Sequence, residues 1–307
     1  MMSHTNISLP ESVKIVEVGP RDGLQNEAAL PLEVKIELVN RLSRTGLKHI
    51  ESGAFVSAAK VPQMANSSEV FARISRQPGV NYCTLTPNVR GLESAIASGV
   101  NQVAVFTSAS EGFCQRNINC SISQSLERFK DVIALASKHA IPVRGYLSCI
   151  VDCPYDGATH PSQVMSIARE MLDIGCCEIS LGDTVGTGTP LKIAKVIEAV
   201  LSQAKPEQIA AHFHDTYGQA LANLYQALQM GITSIDSSVA GLGGCPYAYG
   251  AVGNVATEDV LYLCQGLGIS TGINLNQMIN TAWFICQHLN KRPTSKVSLA
   301  AEHKLFS

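Results

Sequence analysis

An α/β fold, a (β/α)8 TIM barrel with one additional C-terminal helix, is predicted from three observations on this chain of 307 residues. Short β-type runs alternate with longer helical patterns along the whole sequence, and eight such units can be drawn. The length suits them, because a barrel with its outer helices takes about 250 residues and is still one domain. Hydrophobic residues make up 46% and charged residues 16%, which supplies a large core and argues against disorder. One catalytic domain over 1–307 is expected, with the barrel at about 13–270 and a helical extension at 271–307.

The strands are expected at 13–18, 49–53, 82–86, 102–107, 143–150, 178–181, 210–214 and 234–238. Several are apolar at consecutive positions, as a strand covered on both faces should be. The stretch PLEVKIELVNRLSRTG carries clear helix signals: Pro31 at its start, apolar residues at helical spacing and Gly46 just past its end. The runs 121–139 and 161–174 behave likewise. Strict alternation implies parallel strands with crossover helices. An open doubly wound sheet is the competing arrangement, but no Gly-x-Gly-x-x-Gly follows the first strand, which weakens its dinucleotide-binding version. The added helix is expected at 274–289, and the polar tail beyond it is expected to fray.

The formal net charge is -2 and no Lys/Arg run stands out, so neither nucleic acid nor an anionic membrane is expected as a partner. The first dozen residues are polar and free of Arg, and no apolar stretch reaches the roughly 18 residues of a membrane span. A cytoplasmic location is expected. None of the ten cysteines forms a C-x-x-C pair, so most are expected to be reduced and buried as small hydrophobes, the vicinal Cys176–Cys177 pair included.

In a barrel the reactive groups sit where strands end. The first strand runs into EVGPRDGLQNE, with Arg21, Asp22, Gln25 and Glu27. The second carries Glu51, the sixth Asp183 and the seventh His212 and His214. Two histidines two positions apart on a strand share one face, about 6.6 Å between Cα atoms, and can close on one cation. The structural alternative is a pair of hydrogen-bonded core histidines. A carboxylate such as Asp22 and an amide oxygen such as Asn254 would add hard ligands, a set that suits Mg²⁺ or Mn²⁺, with zinc also possible. Asn254 could equally cap the helix that follows it, and Asp22 could be a turn former beside Gly23. After the eighth strand, SVAGLGGCPYA places three glycines before Cys245. A thiol on such a loop could act as an acid or base when the loop closes; the bland reading is a turn with an incidental cysteine.

Four segments, EVGPRDGLQNE, SLGDTVGTGTP, HFHDTYGQALAN and SSVAGLGGCPYAYGAVGNVATED, together resemble the 3-hydroxy-3-methylglutaryl-CoA lyases. The resemblance extends over about 13–296. It implies cleavage of 3-hydroxy-3-methylglutaryl-CoA to acetyl-CoA and acetoacetate, a reaction of leucine degradation and ketone-body formation. It implies a divalent cation on Asp22, His212, His214 and Asn254. It implies catalytic roles for Arg21 and Cys245, supporting roles for Glu51 and Asp183, substrate contact through Arg21 and Gln25, and a homodimer. One departure stands out: Ser-Gly-Ala-Phe follows Glu51, and Ala54 lacks the hydroxyl common at that place. Three other readings compete: a synthase of the same superfamily joining acetyl-CoA to a 2-oxo acid, a metal-dependent hydrolase releasing free CoA, and an inactive barrel that only binds CoA.

Overall fold

Residues 9–244 and 253–302 are described by a computed structural model. Its centre is a closed parallel barrel of eight strands: β1 (Lys14–Glu17), β2 (His49–Ala54), β3 (Asn81–Leu85), β4 (Gln102–Ser108), β5 (Val143–Ser148), β8 (Glu178–Asp183), β9 (Ile209–Phe213) and β10 (Ser234–Ser237). β6 (Asp152–Cys153) and β7 (Gly157–Ala158) form a small antiparallel ribbon after β5. The barrel closes where β1 pairs with β10, from Lys14 opposite Ser234 to Glu17 opposite Ser237. All eight expected strands are present, with their ends displaced by no more than two residues. The ribbon was not anticipated; nor was the short helix α4 (Glu111–Ile118) ahead of α5 (Ile122–Lys138).

The outer helices form for local reasons. α1 (Leu32–Arg44) buries Leu38, Val39 and Leu42 completely, and such burial contributes roughly 1.5–3 kcal/mol per side chain. At its N-terminus Pro31 takes the cap position, and Gly46 beyond its end adopts a φ of +103°. α5 starts on a capping box, with Ser121 and Gln124 satisfying each other's backbone N–H groups. The remaining barrel helices are α2 (Ser67–Arg73), α3 (Val89–Ala97), α6 (Pro161–Asp173), α7 (Pro190–Leu201), α8 (Ala220–Gln229) and α9 (Thr257–Gly266). Among the described residues no helix is long and apolar enough to cross a membrane.

Beyond the eighth unit lie α10 (Leu275–His288) and a short α11 (Lys296–Ala300), one helix more than expected. The expectation of a fraying tail is corrected over 290–302. Ser295 donates to Asp259 at 2.8 Å, Ser298 donates to Glu258 at 2.8 Å, and Trp283 donates its indole N–H to the Ser298 carbonyl at 3.2 Å. The tail is polar because it answers buried carboxylates of α9. The cysteine expectation also needs a correction: Cys176 is buried, but its neighbour Cys177 is exposed, because the two side chains leave the chain in opposite directions as the sixth barrel strand begins.

The barrel interior is polar along one column. Lys14 donates to Glu178 at 2.6 Å, and Glu178 also accepts from Arg144 at 2.6 Å. Arg144 grips Asp236 with two bonds, at 2.9 and 2.6 Å. Buried ions persist only when paired and hydrogen-bonded, and each member of this column except Lys14 is nearly inaccessible. The column ends at the mouth where β9 delivers the histidines.

Candidate active site

The chain leaves β1 through a single π-helical turn, Gly19–Gly23, in which the Gly23 N–H reaches the Val18 carbonyl at 3.1 Å. Glu17 holds this turn in place. Its carboxylate accepts from the Gly19 and Val239 N–H groups, both at 2.8 Å, and from the Thr257 hydroxyl at 2.6 Å. Burial pushes its pKa up to about 7, against the lowering effect of those bonds. The turn aims Arg21 and Asp22 at the barrel mouth. Arg21 donates Nε to Glu51 at 2.7 Å and Nη1 to Asp22 at 2.6 Å, and its guanidinium lies 5.1 Å from the centre of the Tyr146 ring. Tyr146 donates its hydroxyl to Glu51 at 3.1 Å. Burial pushes the Glu51 carboxyl up despite Arg21, and its second oxygen, Oε1, is buried with no hydrogen-bond partner among the described residues.

Asp22, His212 and His214 each offer a ligand atom, and these atoms lie within 4.8 Å of one another. The imidazole rings are 5.6 Å apart, centre to centre. β9 ends at Phe213, so His214 is one residue beyond the strand, where it forms an isolated antiparallel bridge to Asn254. Asp22 is drawn both ways: burial raises its carboxyl, but Arg21, the two histidines and Asn254 together carry it below the usual range. Burial, helped by His212, lowers His214 to about 4, so it is neutral at physiological pH, as a ligand must be. His214 Nδ1 is buried with no partner among the described residues. A clustered carboxylate, two imidazoles and an orphaned buried ring nitrogen fit a divalent cation.

Asn254 is at this mouth, but not as a helix cap: α9 begins at Thr257 with Ala256 in the cap position. Its amide nitrogen donates to Asp22 at 2.8 Å and to the Leu242 carbonyl at 3.2 Å. A role as oxygen ligand needs that amide turned over. Glycine permits the approach, because a Cβ on Gly243 would meet the Asn254 amide nitrogen at 2.6 Å. A Cβ on Gly253 would likewise collide with the Gly241 carbonyl, so the two stems of the glycine-rich loop touch through backbone alone. Ala240 begins this loop with a φ of +62°, held by the Glu258 carboxylate on its N–H at 3.0 Å and by Thr294 on its carbonyl. Cys245 lies outside the described residues.

Asp183 is fully buried on β8 and accepts from the Gly188 N–H at 2.8 Å, so it braces the loop after its own strand; burial raises it to about 6. Gln25 is half-buried just after the π turn, and Glu27 pairs with Lys291. Ala54 is packed in the hydrophobic core. Three residues that matter here are not singled out by the sequence, the charged Arg144 and Asp236 and the aromatic Tyr146. The available signal was a charge inside an otherwise covered strand, but only barrel closure shows that β5 and β10 meet through those charges.

The matched family is HMGL-like, over residues 12–285. The chain is 56% identical over 296 residues to a Pseudomonas aeruginosa protein named 3-hydroxy-3-isohexenylglutaryl-CoA/hydroxy-methylglutaryl-CoA lyase, covering 96% of this chain and 98% of that one. It is 52% identical over 294 residues to the human cytoplasmic 3-hydroxy-3-methylglutaryl-CoA lyase, covering 95% of this chain and 80% of that one. A crystal structure of hydroxymethylglutaryl-CoA lyase from Pseudomonas aeruginosa superposes with a TM-score of 0.94 at 56% identity, over 96% of this chain and 99% of that one. On barrel, site geometry and likeness together, the chain belongs to the HMGL-like family, among the 3-hydroxy-3-methylglutaryl-CoA lyases.

Proposed function

We propose that this chain cleaves 3-hydroxy-3-methylglutaryl-CoA to acetyl-CoA and acetoacetate, as one catalytic domain over 1–307 that works with a divalent cation, Mg²⁺ or Mn²⁺. The observation that carries the reading is Asp22, His212 and His214 converging within 4.8 Å beside the Arg21 guanidinium. Asp22, His212 and His214 would hold the cation, with Asn254 as a further ligand once its amide turns. A bound divalent cation supplies Lewis acidity at the 3-hydroxyl and eases loss of its proton.

The substrate is a tertiary alcohol β to a thioester. Asp22 or one of the histidines accepts the hydroxyl proton. The bond between C2 and C3 breaks, C3 becomes the ketone of acetoacetate, and the electron pair passes into an acetyl-CoA enolate. Arg21 is fixed by Glu51 and always cationic, so it can oppose the charge developing on the enolate oxygen. Cys245 delivers a proton to C2 and completes acetyl-CoA, and the proton taken from the hydroxyl restores the thiol. Glu51 and Tyr146 orient Arg21, Asp183 braces the loop after β8, and Gln25 contacts the substrate from the turn after β1. A homodimer is the proposed assembly, which sedimentation of the purified protein would check.

The test is a product assay on 3-hydroxy-3-methylglutaryl-CoA with and without chelator. Equal amounts of acetyl-CoA and acetoacetate, abolished by chelator and restored by Mg²⁺ or Mn²⁺, are expected. Free CoA without acetoacetate would instead mean a hydrolase, and turnover only with acetyl-CoA plus a 2-oxo acid would mean a synthase.

A further inference from the structure

We infer that Asp236, clamped by Arg144, is a positioning residue that sets the tautomer and orientation of His212 and so makes it the pre-oriented member of the histidine pair; the inference rests on the metal reading above. Asp236 sits on β10 directly opposite His212 in the parallel ladder. It is 1% exposed and its carboxylate is fully engaged. Oδ1 accepts from Arg144 Nη2 at 2.6 Å. Oδ2 accepts from Arg144 Nη1 at 2.9 Å and Ser180 Oγ at 2.7 Å, and faces His212 Nδ1 at 3.1 Å.

An ionised carboxylate only accepts hydrogen bonds. Arg144 is always cationic and approaches with two parallel N–H groups, which is the geometry an ionised partner requires. At 3.1 Å, then, the proton between Asp236 and His212 belongs to the imidazole, on Nδ1. A neutral ring carries one N–H, so Nε2 is left with a lone pair. That nitrogen is the one facing Asp22, 3.9 Å from Oδ2. The lone pair therefore points at the carboxylate with which His212 would share a cation.

His214 has no such support. Its Nδ1 is buried without a partner among the described residues. The two rings look alike in sequence, but the structure treats them differently. His212 is locked at Nδ1 and turns Nε2 toward Asp22, whereas nothing among the described residues fixes the proton of His214. The Tyr146 ring meets His212 edge-on at 5.8 Å and limits its swing. Arg144 itself is anchored on its far side by Glu178, which takes Lys14 at the floor of the barrel. The alternating charges Lys14, Glu178, Arg144 and Asp236 thus form a strut from the closed end of the barrel to His212. A carboxylate behind a ligating histidine typically contributes a factor of about 10 to 100 in metal affinity.

Two measurements test this. In metal-free wild type with ¹⁵N-labelled histidine, at a pH where the rings are neutral, long-range ¹H–¹⁵N correlations should show His212 protonated on Nδ1. A His212 carrying its proton on Nε2 would overturn the inference without any variant being made. Titration with Mn²⁺, followed by its electron spin resonance, should show one saturable site in the wild type that His214→Ala loses. Asp236→Asn should weaken that site by about 10- to 100-fold. Ser180→Ala, which keeps the charge and removes one of the bonds aligning Asp236, should weaken it by a smaller factor. Wild-type binding that both variants leave unchanged would overturn the inference alone. Failure of the wild type to bind Mn²⁺ would overturn the metal reading and this inference with it.

Discussion

Arg21 connects two acids in different environments. Its Nε is fixed to Glu51, which is 1% exposed, and its Nη1 reaches Asp22 at the open edge of the mouth. Replacing it with Met removes the charge expected to stabilise the enolate oxygen, and turnover should fall about 100-fold or more. The same change leaves Glu51 buried without its cation, so the variant should also lose about 3 kcal/mol of stability, measured by urea titration. Normal turnover in a folded Arg21→Met protein would remove the residue from the mechanism. Cys245→Ala separates proton delivery from metal binding: Mn²⁺ affinity should stay normal while acetyl-CoA production drops. If Mn²⁺ affinity falls instead, the thiol is a ligand. The Arg-Asp pair and the His-x-His pair were legible in sequence because they are local, whereas Asp236 is 24 residues from His212 and meets it only because β10 lies beside β9.

At the level of elements, the strands of the barrel were readable from covered apolar runs, and their ends marked where chemistry collects. The π turn at Gly19–Gly23 was not, since nothing in Gly-Pro-Arg-Asp-Gly distinguishes one extra residue in a turn from an ordinary loop. The clamp on the glycine-rich loop was equally hidden. Glu17 and Glu258 reach it from β1 and α9, and each accepts a backbone N–H at its root, from Val239 and Ala240. Burial raises Glu17 to about 7 and Glu258 to about 8, from an ordinary 4.5. A carboxyl with a raised folded pKa stabilises the fold fully below its unfolded pKa, and that contribution is lost as pH rises through the folded value. Stability from these two groups should therefore decline between about pH 4.5 and 8. Glu258→Gln mimics the protonated form, so its melting temperature should fall less than the wild type's between pH 6 and 9. The difference should be a few degrees, at about 2–4 °C per kcal/mol for a chain of this size. Parallel melting curves for the two proteins would contradict the assignment.

For the whole molecule, closure decides what the polar interior means. Eight strands with charges facing inward would be unstable as an open sheet; joined from β1 to β10, they turn those charges into one column under the mouth. The C-terminal segment completes the other side of the same loop. Removing residues 290–307 takes away Ser295 and Ser298, the partners of Asp259 and Glu258. The cost should be about 1–3 kcal/mol for each buried carboxyl left short of partners, read as a lower urea midpoint. An unchanged midpoint would mean that the tail is a passive appendage. Sequence suggested that appendage because Ser295 and Ser298 look like solvent-facing serines until α9 is in place.

We propose that a single divalent cation sits between strand β9 and the turn after β1. Anomalous scattering from a crystal of the full chain loaded with Mn²⁺ tests it most directly. One peak within bonding distance of Asp22, His212 and His214 is predicted, and it should vanish in His214→Ala. A peak elsewhere, or none in protein that still cleaves 3-hydroxy-3-methylglutaryl-CoA, would contradict it.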